Sequence, residues 1–381
     1  MYESFTKPAE LVAGTILDGI ASLLNYGDGE LAAAPSDGRI MLPDDLFAKP
    51  DVQTEWWYYT GHCETATGRE FGFELVFFKR RTDRDRVRFL PMSALANPMY
   101  FAHFAISDIT RGKFRYSQKR SFDKPLDTPV SMSATACDIS LGGWTLREVA
   151  GNHILHGVLD DGLTFDAILK SDKPAVPNGE NGSGISLKQG GSSKHFSFTR
   201  MSVAGQLSDG NGIEAFDGSA WMDREYGAWG DAGGWDWFSI QFEDNTELML
   251  YQFDEANGGK GNSTGTFVRE DGEAEYLTRS EFEITTTTEW TSPHSGATYP
   301  AGWHIKVPRL AIDIRAEPLL ADQELDTRGT TVIVYWEGAC SVMGKRNENE
   351  VAGRAYVELV GYDRSHENVG VTDFLFGGFL R

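Results

Sequence analysis

Apolar and aromatic positions in this chain come in short runs separated by polar turns, and one such arrangement occurs twice. Thr54-Glu55-Trp56-Trp57-Tyr58-Tyr59-Thr60-Gly61 leads through a turn to Phe71-Gly72-Phe73-Glu74-Leu75-Val76-Phe77-Phe78. Further on, Gly234-Trp235-Asp236-Trp237-Phe238-Ser239-Ile240-Gln241-Phe242 leads through Glu243-Asp244-Asn245 to Leu248-Met249-Leu250-Tyr251-Gln252-Phe253. Each copy reads as an aromatic strand, a turn and a second apolar strand. Each also sets a carboxylate among tryptophans, Glu55 in the first and Asp236 in the second. A duplicated aromatic hairpin predicts two similar β lobes packed together. Carboxylates in aromatic surroundings point to an apolar pocket with an acid nearby.

The same patterning divides the chain. Leu11, Val12, Ile16, Leu17, Ile20, Leu23 and Leu24 follow helical spacing and predict an amphipathic helix over 8–25. Residues 27–50, rich in Gly, Ala, Asp and Pro, read as a linker or extended arm, so 1–50 forms an N-terminal helix and arm. Residues 51–205 read as an N-terminal β lobe, with strands such as Phe101–Ile106, Phe165–Leu169 and Phe196–Met201. Within it, the glycine-rich stretch 171–195 reads as a long surface loop, either a lid or a plain connection. Residues 206–381 read as a second β lobe, with strands near 235–242, 247–253, 279–287, 302–307, 310–315, 330–336 and 353–362. Short strands at hairpin spacing predict an all-β protein built from antiparallel barrels or sandwiches.

Composition supports two lobes. The 381 residues exceed one ordinary core, and 40% hydrophobic with 12% aromatic content supplies material for two. A net charge of −21 disfavours nucleic acid and anionic membrane surfaces. Cys63, Cys137 and Cys340 have neither zinc nor disulfide spacing and read as buried thiols. No apolar run approaches the ~18 residues of a spanning helix. The N-terminus lacks the basic and apolar regions of a secretory signal. A cytoplasmic protein without stable membrane insertion is expected.

The densest candidate chemistry is Asp223-Arg224-Glu225-Tyr226-Gly227, three charges between aromatic strands. An apolar wall raises a carboxyl's pKa and makes it a proton donor near neutrality. Asp223 and Glu225 are the candidate acids, with Arg224 orienting them; a structural ion pair is the competing reading. Strand alternation puts Trp235 and Trp237 on one face and Asp236 on the other. It also puts Tyr251 and Phe253 together, with Gln252 opposite. Tyr251 is a candidate hydrogen-bond donor. Glu55, His62, Glu74 and His103 are polar positions within apolar strands, and Tyr335-Trp336-Glu337-Gly338 repeats the theme of acid beside aromatic. The nucleophile elbow, phosphate loop, dinucleotide fingerprint and HExxH are all missing from the sequence. His153 and His156 lack a same-face spacing on a strand. No metal and no cofactor is expected.

In order along the chain, the 54–61 segment, Phe101-Ala102-His103-Phe104-Ala105-Ile106-Ser107-Asp108, Trp221-Met222-Asp223-Arg224-Glu225-Tyr226-Gly227, Gly234–Phe238, Tyr335–Gly338 and Tyr356–Tyr362 resemble the carotenoid 1,2-hydratase / AttH-like family. The resemblance runs over roughly 50–365 and implies two lipocalin-like lobes. It implies hydration of a terpenoid double bond, or a related pericyclic cyclisation, among the family's activities. Where the family commonly has Asp-His-x-Trp-Gly, this chain has Asp223-Arg224-Glu225-Tyr226-Gly227. Arginine stays protonated and cannot shuttle a proton as histidine does.

Three functions therefore compete: a hydratase acting on an apolar polyene or terpenoid, a cyclase, and a carrier of apolar ligands. In the hydratase reading Asp223 or Glu225 protonates the substrate while Arg224 and Tyr251 orient it; in the cyclase reading the pocket folds the substrate and Arg224 or Tyr226 polarises a carbonyl. Trp235 and Trp237 form the wall. Trp56, Trp57, His103 and Tyr226 are expected to contact substrate, as are Phe253 and Trp336. The partner is an apolar small molecule, and the sequence fixes no oligomeric state.

Overall fold

The computed structural model describes residues 39–363 apart from 84–85, 88–89, 92–95, 181–191, 211, 229–233 and 254–262. The helix expected over 8–25 lies outside the described residues. Among those described, the fold is all-β, with helix confined to 3₁₀ turns such as Asp44–Leu46.

Two antiparallel sheets carry the structure. The first, nearly closed into a barrel, has twelve strands. Its middle runs in the order Met99–Asp108, Glu70–Arg80, Thr54–Thr65, Ile213–Ala228, Ser192–Ser208, Thr164–Ser171. The second, a half-barrel of ten strands, has Glu247–Phe253, Trp235–Phe242, Asn349–Val360 and Val334–Arg346 as neighbours at its centre. The duplicated hairpin thus supplies adjacent strands in each sheet. Residues 213–228, which the sequence groups with the C-terminal lobe, pair with both Thr54–Thr65 and Ser192–Ser208 in the first sheet.

Period-two alternation decides what each strand buries. In the first hairpin Trp57, Tyr59, Phe71, Phe73 and Phe77 point into the barrel core. Tyr58 and Val76, on the other face, join Trp221, Trp237, Met249, Tyr251, Ala339 and Tyr356 in a cluster drawn from both sheets. Both faces of these strands are therefore buried, one in a lobe and one between lobes. Gly72 makes the contact possible. A Cβ there would lie 2.5 Å from the Tyr356 hydroxyl and 2.9 Å from Ala339 Cβ.

Two stretches read as connections are built into the body. Residues 39–50 pack on the barrel end: Leu46 and Ala48 enter its core, and Trp57 Nε1 donates to Leu46 O at 2.7 Å. Backbone carbonyls of the arm, which carry no sequence mark, add to these side-chain contacts. In the expected 171–195 loop, Val176–Pro177 pairs with the Ser192–Ser208 strand. Lys173 Nζ binds Glu247 at 2.9 Å, and Glu247 also accepts from Arg200 Nε at 2.5 Å. This buried ion cluster fastens the loop to the second sheet.

Candidate active site

Between the two sheets lies an aromatic cleft. The first sheet contributes Trp56, Tyr58, Phe78, His103, His195, Asp223 and Glu225. The second contributes Trp235, Trp237, Tyr251, Tyr335 and Glu358, with Thr331 and Ile333 at one end. Its free volume is about 100 Å³.

Three ionisable groups meet on the first-sheet wall. Asp223 and Glu225 share a face of Ile213–Ala228, and register places His195 directly opposite Glu225 on the neighbouring strand. His195 Nε2 lies 3.3 Å from Asp223 Oδ2, and Nδ1 lies 4.0 Å from Glu225 Oε2. Both contacts are within ion-pair range but out of hydrogen-bond alignment. Asp223 Oδ1 is committed as an acceptor, from Trp221 Nε1 at 2.7 Å and from the Ser197 hydroxyl. Burial alone would lower the His195 pKa, but Glu225 and Asp223 together raise it. Burial pushes the Glu225 carboxyl up, against the opposing pull of His195 and Ser193.

The second-sheet wall carries a carboxyl of another kind. Glu358 accepts from Trp235 Nε1 at 2.8 Å. Burial raises its pKa to about 7; the Trp235 bond opposes this and the nearby Asp223 charge adds to it. Burial likewise raises the Tyr251 phenol, with Glu225, Glu358 and Asp223 adding, so Tyr251 stays a hydrogen-bond donor.

Behind the cleft two more acids sit dry. Glu337 accepts from the Tyr58 hydroxyl, and Glu74 from the Tyr335 hydroxyl at 2.9 Å. Tyr335 also meets His103 Nδ1 at 2.8 Å, and His103 Nε2 meets Thr330 Oγ1 at 3.0 Å. Burial raises Glu74 to about 8 and lowers His103 to about 3, so His103 is a neutral structural imidazole. A carboxyl raised on folding binds more protons in the native state than in the unfolded chain. Its stabilisation is full below the ordinary carboxyl pKa and is lost as pH rises towards about 8. Glu74→Gln should therefore leave the thermal midpoint unchanged at pH 5 and raise it by several degrees at pH 9. Each pH unit of displacement is worth about 1.4 kcal/mol. Thermal melts of both proteins at the two pH values check this, and equal midpoints at pH 9 would refute a neutral buried Glu74.

The cleft gathers Asp223, Glu225, Tyr251, Trp56, His103, Trp235 and Trp237 from the residues singled out in the sequence. It does not include Arg224. That side chain points into the first lobe, pairs with Glu55 at 2.5 Å and donates to Asp45 O, Phe47 O and Trp56 O. It stacks on Trp57, 3.9 Å from the ring centroid, so Trp57 is also core. Tyr226 faces the same way and donates to Asp45 Oδ1 at 2.7 Å. Trp336 is buried in the second lobe, and Phe253 packs beside Tyr251 at 4.2 Å without lining the free space. Alternation accounts for most of these corrections, because neighbours of cleft residues must point away. Asp236 turns from the cleft and binds the Tyr362 hydroxyl at 2.7 Å.

Sequence reasoning missed His195, Tyr58, Tyr335 and Glu358. His195 fell at the end of a stretch read as loop. The alternation of Ser193, His195 and Ser197 with Lys194, Phe196 and Phe198 was the available strand signal. His195 places an imidazole beside Asp223 and Glu225.

A second hollow of about 400 Å³ is lined by Phe114, Tyr116, His294, Asp322 and Glu324, among others. Its polar groups are already engaged: Glu324 accepts from Ser292, Ser295 and Tyr299, and His294 meets Asp322. Among the described residues no three His, Cys, Asp or Glu side chains form a metal-holding group, and no helix is long and apolar enough to cross a membrane.

Residues 33–362 match the AttH-like family, and the chain belongs to that family of lipocalin-like proteins. The crystal structure of a putative AttH from Nitrosomonas europaea is similar, with a TM-score of 0.73 and 28% identity over 87% of this chain and 100% of that one. Kievitone hydratase from Nectria haematococca shares the fold, with a TM-score of 0.68 and 16% identity over 89% of this chain and 98% of its own. A search of curated proteins finds no significant match.

Proposed function

We propose that this protein is a hydratase that adds water across a C=C bond of an apolar, terpenoid-like small molecule. The observation that carries the reading is Glu358, a buried carboxyl with a pKa of about 7, in an aromatic slot that also holds Asp223, His195 and Glu225. An acid with a pKa near working pH is both populated and strong enough to donate. In the proposed cycle Glu358 gives its proton to one alkene carbon. The faces of Trp56, Tyr58, Trp237 and Tyr251 stabilise the cation that forms on the other. Water adds to that carbon, and its surplus proton returns to the Glu358 carboxylate, which closes the cycle. His195, held between Asp223 and Glu225, orients the adding oxygen. The fold shared with kievitone hydratase supports the reading by analogy only.

Incubation with acyclic terpenoids in deuterated water, followed by mass spectrometry, tests it. A product heavier by one water, with deuterium on carbon, is expected. An isomer of unchanged mass with no carbon-bound deuterium would replace hydration by cyclisation. Recovery of unaltered but bound ligand would leave a carrier.

A further inference from the structure

The cleft holds donors that have no aligned acceptor among the described residues. Trp237 is 3% exposed, and its Nε1–H has no acceptor among the described residues. An indole N–H can only donate. His195, also 3% exposed, has neither ring nitrogen in an aligned hydrogen bond, although Asp223 and Glu225 flank it. Buried polar groups in native structures are nearly always paired, so unpaired ones in a binding cleft mark where a ligand atom or water belongs. Both residues line the same small free space.

The surroundings restrict that group. Asp223 and Glu225 flank His195 and already compensate its charge, so a ligand carboxylate or phosphate would add an unbalanced charge to this buried space. The remaining walls are mostly aromatic and leave hydrophobic contact as the main attraction. An alkyl group at this position would satisfy neither donor and keep both dry.

We infer that the cleft recognises a neutral oxygen on its ligand, a carbonyl or hydroxyl close to the reacting carbons, through the Trp237 indole N–H and an imidazole N–H of His195. Pure hydrocarbons are then poor ligands, and the substrate class narrows to oxygenated terpenoid-like molecules. The inference rests on the cleft being the substrate site, as in the hydratase reading, but not on the reaction that follows.

The test is a fluorescence titration of the full chain with geranylacetone, an acyclic isoprenoid ketone, and with its deoxygenated hydrocarbon. The ketone is expected to bind at least about tenfold tighter. Trp237→Phe, which removes the N–H together with one ring of the indole wall, should weaken both probes, and the ketone-to-hydrocarbon affinity ratio within the variant should fall most of the way to one. Equal affinity for the two probes, binding of neither, or a preference that survives in Trp237→Phe overturns the assignment. Product analysis of the same incubations reads the hydratase proposal separately: tight ketone binding without water addition sinks the reaction and leaves the recognition intact.

Discussion

Glu358→Gln is expected to lower turnover by about 10²–10⁴-fold, the usual worth of a positioned general acid. Glutamine keeps the shape of the side chain and an oxygen for Trp235 Nε1, so the cleft and its packing persist. Only the transferable proton is lost. In the unmodified protein turnover should fall as pH rises through about 7, because the Glu358 carboxyl empties over that range. Steady-state rates across pH, with circular dichroism to confirm the fold, check both outcomes. A variant within tenfold of the parent would transfer the acid role to Glu225, the other cleft carboxyl that burial raises.

Arg224→Met should destabilise the chain by about 3–5 kcal/mol, because the buried or half-buried carbonyls of Asp45, Phe47 and Trp56 lose their donor at about 1–3 kcal/mol each, while Glu55 keeps Lys79 as its second cation. The guanidinium is fully buried and joins Glu55 to the arm carbonyls of Asp45 and Phe47. Methionine fills much of the volume but makes none of these bonds. Lysine would restore the charge without the planar fork that serves several acceptors at once, so Arg224→Lys should recover part of the loss. Denaturant midpoints of the three proteins measure this. If the folded fraction of Arg224→Met keeps activity within tenfold, Arg224 bolts the arm and takes no part in chemistry. A large loss of turnover at parental stability would reinstate it as a site residue.

These two experiments separate residues that are adjacent in sequence, and the separation shows what the sequence could and could not convey. The duplicated hairpin was legible because period-two alternation of large aromatics is a strong local pattern. The same rule placed Trp235 and Trp237 together and Asp236 apart, as found. Applied to Asp223-Arg224-Glu225-Tyr226, it divides that run into two cleft residues and two core residues. Which face meets the other lobe is not written locally, since both faces of these strands are buried and no polar side marks the outside. Glu358 and Tyr335 entered the site through pairings across long stretches of chain, which periodicity does not report. His195 was hidden because glycine-rich sequence upstream masked the start of a strand.

The aromatic strand of the first hairpin copy presents Trp56 and Tyr58 to the cleft, and that of the second presents Trp235 and Trp237. The two copies stand to one another as the subunits of a dimer would, but on one chain. Their association carries no dependence on concentration, because the partner is always tethered. Identical subunits would also have to repeat every residue on both walls of a shared interface. Covalent linkage lifts that constraint, so one wall can carry an imidazole between two carboxylates while the other carries a lone acid held by an indole.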